Sequence, residues 1–414
     1  MSMRRFLLFL DVLSAFLAFC GRLLVFYRDT ALERVKRWRR KRRNNKIKQK
    51  NNAQLNKKTM HKFDYRWTLA DANFTKDKGT VFSCFACGGG SSMGYKLAGF
   101  DVIGCNEIDK RMMDIYIKNH NPKFSFLEPI QTFKERQDLP PELFNLDILD
   151  GSPPCSTFSM AGSREKAWGK MKHFREGQSE QVLDTLFFDF IDLAKRLQPK
   201  VVVAENVKGL LLGNAKDYVR RIYQGFEDAG YYCQHFLLDA QYIGVPQRRQ
   251  RVFFVCLRKD LIGFVPCESS LFDSFPYLDL KFNEPPILFG DVADYNGDEI
   301  KGKRMRELWE ARKPYDDGFG DITKRINGKE SMFNMRFGKQ REVSHTLVSD
   351  KKYMVHYERP CYYSDTEAVK VQSFPSDYDF CGQQPHYVCG MSVPPIMMAQ
   401  VASRIYEQWL SKIK

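Results

Sequence analysis

Between residues 79 and 257, short apolar runs alternate with segments of helical periodicity, and this alternation constrains the fold more than any other feature. Such a rhythm is typical of a parallel sheet with helices on its faces. The candidate strands are residues 79–84, 101–105, 145–149, 200–204, 232–238 and 251–257. The candidate helices are residues 91–98, 109–119, 179–197, 215–229 and, after a Pro-Pro start signal, about 394–411. The sequence therefore predicts a doubly wound α/β domain.

The first candidate strand runs into a glycine-rich turn. Gly88, Gly89 and Gly90 form this turn, and the second strand ends at Glu107. Glycines let the backbone approach a ligand closely, and an acidic residue after the second strand can bind ribose hydroxyls. The spacing departs from GxGxxG, which favours an adenosine cofactor other than a dinucleotide. Taken alone the run is weak evidence, because a glycine-rich turn needs no ligand.

A cysteine follows the third candidate strand. Pro153 and Pro154 stiffen the chain directly before Cys155, so its thiol is held in a defined direction at the carboxyl edge of the sheet. Ligands bind at this edge in open α/β sheets. The alternative interpretation is a buried cysteine beside a rigid turn, which is the commoner fate of a lone cysteine.

Two further segments place charges at strand ends. Glu205 follows the apolar run 201–204, where partial desolvation would raise its pKa and favour a proton-donating form. Arg249 and Arg251 precede another strand and share one face by alternation. The alternative for Glu205 is a helix-start carboxylate paired with a nearby basic residue. An arginine between apolar runs favours an inward anion or ring clamp over a solvated charge.

These segments together resemble the cytosine-C5 DNA methyltransferase family over residues 79–414. The resemblance is carried by the glycine turn, PPC, ENV, QRRxR, a QxFPxDY segment and GxSVPP, in the family's order and approximate spacing. Any one element can arise by chance, but all six in order identify the chain as a member. The resemblance implies a Rossmann-like methyltransferase fold with an inserted target-recognition domain, S-adenosylmethionine as cofactor and double-stranded DNA as substrate.

The resemblance also implies roles for particular residues. Cys155 is expected to attack C6 of a flipped-out cytosine, which prepares C5 to accept a methyl group. Glu205 is expected to donate to or hydrogen-bond N3, while Arg249 and Arg251 orient the base and the carboxylate. The positions expected at the cofactor are Phe85, Ala86, Gly88, Gly89, Gly90, Glu107, Ile108, Pro153, Ser392 and Val393. No metal is expected.

Some positions depart from the family's pattern. Cys87 stands where the glycine set usually begins, and Glu128-Pro129 falls near the Asp that commonly contacts the adenine. Met391 stands where the last turn usually has Asn. None of these changes removes the nucleophile, the glutamate or the arginines. We therefore expect an active enzyme whose cofactor affinity these departures can alter.

The resemblance divides the body of the chain into a catalytic domain, residues 75–257 plus 341–414, and a recognition domain, residues 258–340. Basic groups at residues 301–306 and 324–341 are candidates for DNA contacts, and ordinary solvated faces are the alternative. Residues 157–178 look like a mobile loop that closes over DNA. A monomer on DNA is expected. The target sequence and the existence of a partner restriction endonuclease do not follow from the sequence.

The net charge of +15 belongs to an N-terminal extension, residues 1–59. Residues 1–58 carry 17 Lys and Arg against 3 Asp and Glu, so the rest of the chain is almost neutral. Residues 6–27 are apolar, and residues 34–58 carry 13 basic residues and no acid. A membrane anchor, a signal sequence and upstream sequence translated from an early start codon are the competing interpretations. Secretion fits poorly with this cofactor, but anchor and upstream sequence stay open.

The chain contains 11 cysteines, several of them inside apolar runs, which is typical of free thiols in a reducing compartment. We therefore expect a cytoplasmic protein. Cys84 and Cys87 form a CxxC, but no second CxxC or His pair at metal spacing follows, so a redox or zinc role is disfavoured.

Three other functions compete with DNA methylation. A transfer-RNA cytosine methyltransferase is the nearest rival, but its typical Cys-Phe-Thr element is missing before QxFP, and the large insertion at 258–340 favours DNA. A catalytically silent DNA-binding relative needs no thiol, so Cys155 together with Glu205 and Arg251 argues against it. A Rossmann oxidoreductase explains the glycine turn but not the other segments.

Overall fold

The computed structural model describes residues 61–154, 185–212, 216–269, 274–328 and 335–413. Residues 62–414 form one compact unit. The expected nucleophile Cys155, the expected mobile loop 157–178 and the N-terminal extension 1–59 therefore lie outside the described residues.

A seven-stranded sheet in the order β3-β2-β1-β4-β5-β7-β6 forms the centre of this unit. Its strands are β1 Thr80–Cys84, β2 Asp101–Glu107, β3 Phe124–Leu127, β4 Ile148–Gly151, β5 Val201–Val207, β6 Tyr231–Asp239 and β7 Gln250–Arg258. Every neighbouring pair from β3 to β5 is parallel, whereas β7 is antiparallel to both β5 and β6. The predicted parallel sheet is thus confirmed for the strands from β3 to β5. The antiparallel direction of β7 was not predicted, because an apolar run carries no information about strand direction.

Helices cover both faces of the sheet, as a doubly wound fold requires. The helices of the described residues are α1 Gly90–Leu97, α2 Lys110–His120, α3 Ile130–Phe133, α4 Leu186–Leu197, α5 Lys216–Asp228, α6 Lys303–Glu310, α7 Phe319–Asn327, α8 Asp365–Val371, α9 Pro385–Met391 and α10 Pro395–Gln408. Asp109 begins α2 by accepting a hydrogen bond from the Arg111 amide at 2.8 Å. Pro395 occupies the first position of α10, where its missing N–H costs nothing.

Alternation along the strands divides the apolar residues between two cores. Val81, Ile148 and Val203 face the core that contains α10, whereas Phe82 and Leu149 face the core that contains α4 and α5. Successive side chains in a strand point to opposite faces, so each strand contributes to both cores. The sheet is therefore buried on both sides, and its carboxyl edge is left to hold the site.

The last helix packs directly on the first. A β-carbon at Gly94 in α1 would collide with the carbonyl of Pro395 and with Met398 of α10. The absence of a side chain lets the two helix backbones approach closely. This contact places the C-terminal helix beside the helix that follows the glycine turn.

A smaller apolar cluster lies outside the main cores. It is formed by Ile300, Phe319, Ile322, Phe337 and Val355. Two short strands, β10 Arg336–Gly338 and β11 Met354–His356, pair in parallel within it, and β8 Cys267–Ser269 pairs with β9 Ser274–Pro276 elsewhere. The small core thus draws on residues from both sides of position 340. Within the described ranges, no helix is long and apolar enough to cross a membrane.

Candidate active site

The carboxyl ends of three neighbouring strands meet at one edge of the sheet. The glycine turn follows β1, the segment Ser152–Pro154 follows β4, and Glu205 lies near the end of β5. Asn206 joins two of these ends, since its side-chain amide donates to the Pro153 carbonyl at 3.1 Å. Because Pro153 is buried and fixed in this way, the chain that leads to Cys155 starts from a rigid point beside Glu205.

Glu205 and Arg251 form a buried ion pair at this edge. The Arg251 Nε lies 2.9 Å from Glu205 Oε1, and the two side chains are 15% and 11% exposed. Burial raises the pKa of Glu205, while Arg251, Arg249 and a hydrogen bond from Ser152 oppose that rise. Because burial outweighs these opposing effects, the pKa of the carboxyl is higher than that of a free glutamate, and the group can serve as a proton or hydrogen-bond donor.

Arg249 is bound differently from Arg251. Its guanidinium donates to the carbonyl oxygens of Leu347 at 3.0 Å, Gly390 at 2.9 Å and Ser392 at 3.0 Å. The residue is 2% exposed, and it precedes β7 rather than lying within it. Both arginines act on the charge of Glu205, but in this geometry only Arg251 contacts the carboxylate, while Arg249 joins the start of β7 to the C-terminal segment.

The glycine turn owes its residues to close packing and to left-handed backbone. Side chains at Gly88, Gly89 and Gly90 would collide with Val388, His120 and the Val393 carbonyl, respectively. Cys87 has a φ of 48°, in the region that favours glycine, so the departure at this position places a β-carbon where the backbone disfavours one. The turn is consequently pressed against α9, α2 and the segment before α10.

Glu107 holds the other side of the same turn. Its buried carboxylate accepts hydrogen bonds from the amides of Cys87 at 2.7 Å, Ile108 at 2.8 Å and Asp109 at 2.9 Å. Burial raises its pKa and these backbone donors lower it. A carboxylate offers about four acceptor positions, so three amides leave it capacity for a hydroxyl. The expected cofactor positions Ser392 and Val393 are buried behind the turn.

The donor set at this turn fits an adenosine cofactor. Glu107 supplies an acceptor at the end of the second strand, and half-buried Phe85 and Ile108 supply apolar surface next to buried Ala86. Glu128, near the position expected at the adenine, instead bonds Arg136 through its carboxylate at 2.9 Å. Within the part of the chain that the structure describes, no cluster of three or more His, Cys, Asp and Glu is arranged to hold a metal ion.

Comparison with known proteins decides which chemistry this edge serves. The profile of the C-5 cytosine-specific DNA methylase family matches residues 79–407. The chain belongs to this family. It is a DNA (cytosine-5-)-methyltransferase. Enzymes of this class in general use S-adenosylmethionine as methyl donor and take DNA as substrate.

Curated relatives of this methylase cover most of its length. It is 28% identical over 361 residues to the type II methyltransferase M.FnuDI of Fusobacterium nucleatum, a match that spans 81% of this chain and 96% of the relative. It is 26% identical over 363 residues to the type II methyltransferase M.NgoFVII of Neisseria gonorrhoeae, spanning 81% and 89% of the two chains. Both alignments span about four fifths of this chain.

Solved structures are similar to the methylase in fold. One is a putative DNA modification methyltransferase encoded within an E. coli prophage, with a TM-score of 0.54, 20% identity and coverage of 80% of this chain and 99% of that one. Another is a DNMT2 mutant from Spodoptera frugiperda, with a TM-score of 0.54, 16% identity and coverage of 78% and 98%. These structures support the Rossmann-like methyltransferase fold expected from the sequence.

The structure also shows contacts at the site of the methylase that the sequence did not predict. Asp150, the third residue of β4, is 1% exposed and accepts hydrogen bonds from Ser83 and Ser91. Tyr378 donates to the Gly88 carbonyl at 2.5 Å, and its hydroxyl lies 3.0 Å from His120 Nε2. The only sequence signal for Asp150 is an acid inside an apolar run, and nothing in the sequence pairs His120 with Tyr378.

Proposed function

We propose that the enzyme transfers a methyl group to C5 of a cytosine flipped out of a specific short duplex sequence, through a covalent adduct between Cys155 and C6. The observation that carries the proposal is the buried pair of Glu205 and Arg251, because it lies at the strand end next to the fixed turn that leads to Cys155. A stacked base cannot reach groups at this depth, so the base must leave the duplex.

The proposed reaction begins when the Cys155 thiolate forms a bond to C6 of the cytosine. The electron pair displaced from the C5–C6 bond makes C5 nucleophilic, and Glu205 donates to N3 as negative charge develops on the ring. S-adenosylmethionine, when bound, supplies an electrophilic methyl group at C5. Loss of the C5 proton to a base and return of the N3 proton to Glu205 then re-form the C5–C6 double bond and expel the thiolate, which restores the enzyme.

The two arginines have separate tasks in this proposal. Arg251 holds the Glu205 carboxyl through Nε and orients it toward the base, because it is the arginine in contact with that group. Arg249 is placed with the catalytic residues because its positive charge also lowers the pKa of Glu205. Its hydrogen bonds to three backbone carbonyls, however, hold the C-terminal segment against the start of β7. Removal of each should therefore affect different properties.

The proposed cofactor residues are those expected from the sequence. Glu107 would accept from the ribose hydroxyls, Phe85 and Ile108 would border the adenine, and Pro153 would close the side toward Cys155. Gly88, Gly89 and Gly90 would keep the turn in shape, with Ser392 and Val393 behind it. These assignments rest on the placement of the residues around one turn at the sheet edge.

We infer that residues 258–340 belong to a recognition lobe, within an architecture of residues 75–257 and 341–414 as catalytic domain. The small core that includes Phe319 and Phe337 supports a separate lobe, and its member Val355 suggests that the lobe reaches past residue 340. Lys301, Lys303 and Arg341 are exposed and suit phosphate contacts. Arg325 instead pairs with buried Asp316 at 2.8 Å, which fits a structural role.

The relatives' names suggest a biological setting as well. M.FnuDI and M.NgoFVII are called type II methyltransferases, so we propose that this enzyme acts in a restriction–modification system, as a monomer on double-stranded DNA. The apolar segment 6–27 stays a proposed membrane contact and a cytoplasmic location stays a prediction.

Cytosine-conversion sequencing of DNA from cells that express the full-length chain tests the proposal. We expect protected cytosines at one short sequence, loss of protection in Cys155→Ser, and normal protection in Cys267→Ser, which removes an exposed thiol instead. Protection that survives Cys155→Ser would exclude the covalent mechanism. Methylated transfer RNA with unprotected DNA would reassign the substrate.

A further inference from the structure

A row of polar side chains crosses the end of the sheet on the face that packs against α1 and α10. Ser83 of β1 is in register with Asp150 of β4, and Asp150 is in register with Val203 of β5, two residues before Glu205. In-register positions share a face, and so do positions two apart in a strand. Asp150 and Glu205 are therefore diagonal neighbours on the same face of adjacent strands.

The carboxylate of Asp150 is fixed by hydroxyl groups from two elements. Its Oδ2 accepts from Ser83 Oγ at 2.7 Å and from Ser91 Oγ at 2.8 Å, and its Oδ1 accepts from Tyr95 Oη at 3.2 Å. Ser91 and Tyr95 belong to α1, which starts from the glycine turn. One buried acid thus ties the turn's helix to the strand that leads to Cys155.

We propose that Asp150 is a positioning residue for methyl transfer, whose fixed negative charge keeps the neighbouring Glu205 in its proton-donating form. The proposal rests on the proposed role of Glu205 at cytosine N3. Asp150 needs no contact with the base in this role, because it acts through Glu205.

The groups around Glu205 explain why such a charge is useful. Arg251 contacts the carboxylate, Arg249 adds a second positive charge, and Ser152 donates a hydrogen bond, so all three favour the ionised form. Burial opposes them. A negative charge on the same face of the adjacent strand also opposes ionisation, and at an effective dielectric of about 20 two charges about 8 Å apart shift a pKa by roughly 1.5 units.

The groups around Asp150 determine when it carries that charge. Burial raises its pKa to about 6, while Ser83, Ser91 and Tyr95 lower it and the charge of Glu205 raises it. Two further titratable groups feel the charge of Asp150, the Tyr116 hydroxyl of α2 and the Cys84 thiol on the opposite face of β1. Burial is the main cause that raises the pKa of each group, and Asp150 raises it further. Above pH 6, then, Asp150 is mostly ionised while these two groups stay neutral.

Loss of the negative charge at Asp150 shifts the pH dependence of activity to lower pH. Activity that needs protonated Glu205 falls as pH rises through the pKa of that group. In Asp150→Asn the opposing negative charge is lost, so the pKa of Glu205 falls and activity declines at lower pH. We expect the alkaline limb of the kcat/KM profile for DNA methylation to move down by about 1.5 pH units.

Ser83→Ala is the matched control, because it removes one hydrogen bond to Asp150, which raises the pKa of that carboxyl, but keeps a carboxyl that ionises at high pH. We expect it to lower the thermal midpoint and to leave the alkaline limb where it is. An Asp150→Asn enzyme with an unmoved alkaline limb would overturn the proposal and show that Asp150 only joins β1, β4 and α1 through its hydrogen bonds. Should Asp150→Asn not fold, Asp150→Ser is also uncharged, can still bond Ser83, and carries the same test.

Glu205→Gln separates this inference from the proposed function. The alkaline limb should vanish from its residual activity, and Asp150→Asn should then have no further effect on the profile. If the limb persists in Glu205→Gln, another group produces it, and the assignment of Glu205 as donor fails. If it vanishes while Asp150→Asn alone leaves the profile unchanged, only the role of Asp150 fails.

Discussion

Trp67 donates a hydrogen bond from its indole nitrogen to the carbonyl oxygen of Ser373 at 3.0 Å, although it precedes the segment matched by the family, residues 79–407. In the same N-terminal stretch, the backbone amides of Leu69 and Ala70 donate hydrogen bonds to the Asp377 carboxylate at 2.6 and 3.1 Å. Ser373 and Asp377 belong to or follow the QxFP segment. A part of the chain outside the family's common region therefore holds part of the site.

This contact predicts where the chain can be shortened. An enzyme of residues 60–414 keeps the contact and should retain a wild-type thermal midpoint and activity. An enzyme of residues 79–414 loses buried Tyr65 and the Asp377 hydrogen bonds, and should lose about 3 kcal/mol of unfolding free energy or more. Urea titration of both proteins measures the difference. Equal midpoints would show that the stretch before residue 79 contributes nothing to stability.

Substitution of Arg249, which precedes β7, and of Arg251, which lies within it, should affect different properties of the enzyme. Arg249→Met leaves the carbonyls of Leu347 and Gly390 without their buried donor, while the Ser392 carbonyl keeps only the Gln372 amide, so we expect a loss of about 3 kcal/mol in unfolding free energy. Arg251→Met removes the partner of Glu205, so we expect kcat to fall about 100-fold or more with a smaller effect on stability.

Urea titration and single-turnover methyl transfer on both variants test this separation. The reverse pattern, with Arg251→Met the less stable protein and Arg249→Met the slower one, would contradict it. Equal loss of stability in the two variants would show that the carbonyl contacts of Arg249 carry no special weight.

Much of the fold followed from the sequence, and the exceptions have physical causes. The apolar runs located six strands to within a few residues, but β3 was missed because its four residues alternate between exposed and half-buried positions at the sheet edge. The direction of β7 could not be read from Val252–Leu257, since periodicity is the same for either direction. The small core containing Val355 was likewise invisible, because its members are far apart in the chain.

At the site, the sequence placed charged residues at strand ends but could not assign their partners. Glu205 and Arg251 come together as expected, whereas Arg249 contacts backbone carbonyls that only the folded C-terminal segment supplies. That Asp150 and Glu205 lie on the same face of adjacent strands follows from the register of β1, β4 and β5, which the sequence alone does not give. Nucleophile placement stays a prediction, since Cys155 lies outside the described residues.

The backbone at Cys87 permits a comparison of two substitutions. Its φ of 48° is in the left-handed region, where a β-carbon costs roughly 1–2 kcal/mol relative to glycine. Cys87→Gly and Cys87→Ala both lose the thiol that lies 3.8 Å from the Met112 sulfur, but only the alanine keeps the β-carbon. We expect Cys87→Gly to be the more stable variant by about 1 kcal/mol in urea titration. An alanine variant as stable as the glycine variant would show that the turn relaxes out of this conformation.

The hydroxyl of Tyr378 should matter for the cofactor and not for DNA. It donates to the Gly88 carbonyl at 2.5 Å and lies 3.0 Å from His120 Nε2, so it holds the glycine turn against α2. Tyr378→Phe keeps the ring and loses about 1 kcal/mol of hydrogen bonding, which should raise the KM for S-adenosylmethionine about fivefold and leave the KM for DNA unchanged. Tyr406→Phe in α10 is the control, since that ring contacts Lys78 through its face. A rise in the KM for DNA as large as that for the cofactor would show that Tyr378 supports the whole domain, because a hydroxyl that only shapes the glycine turn cannot act on DNA binding to the same degree.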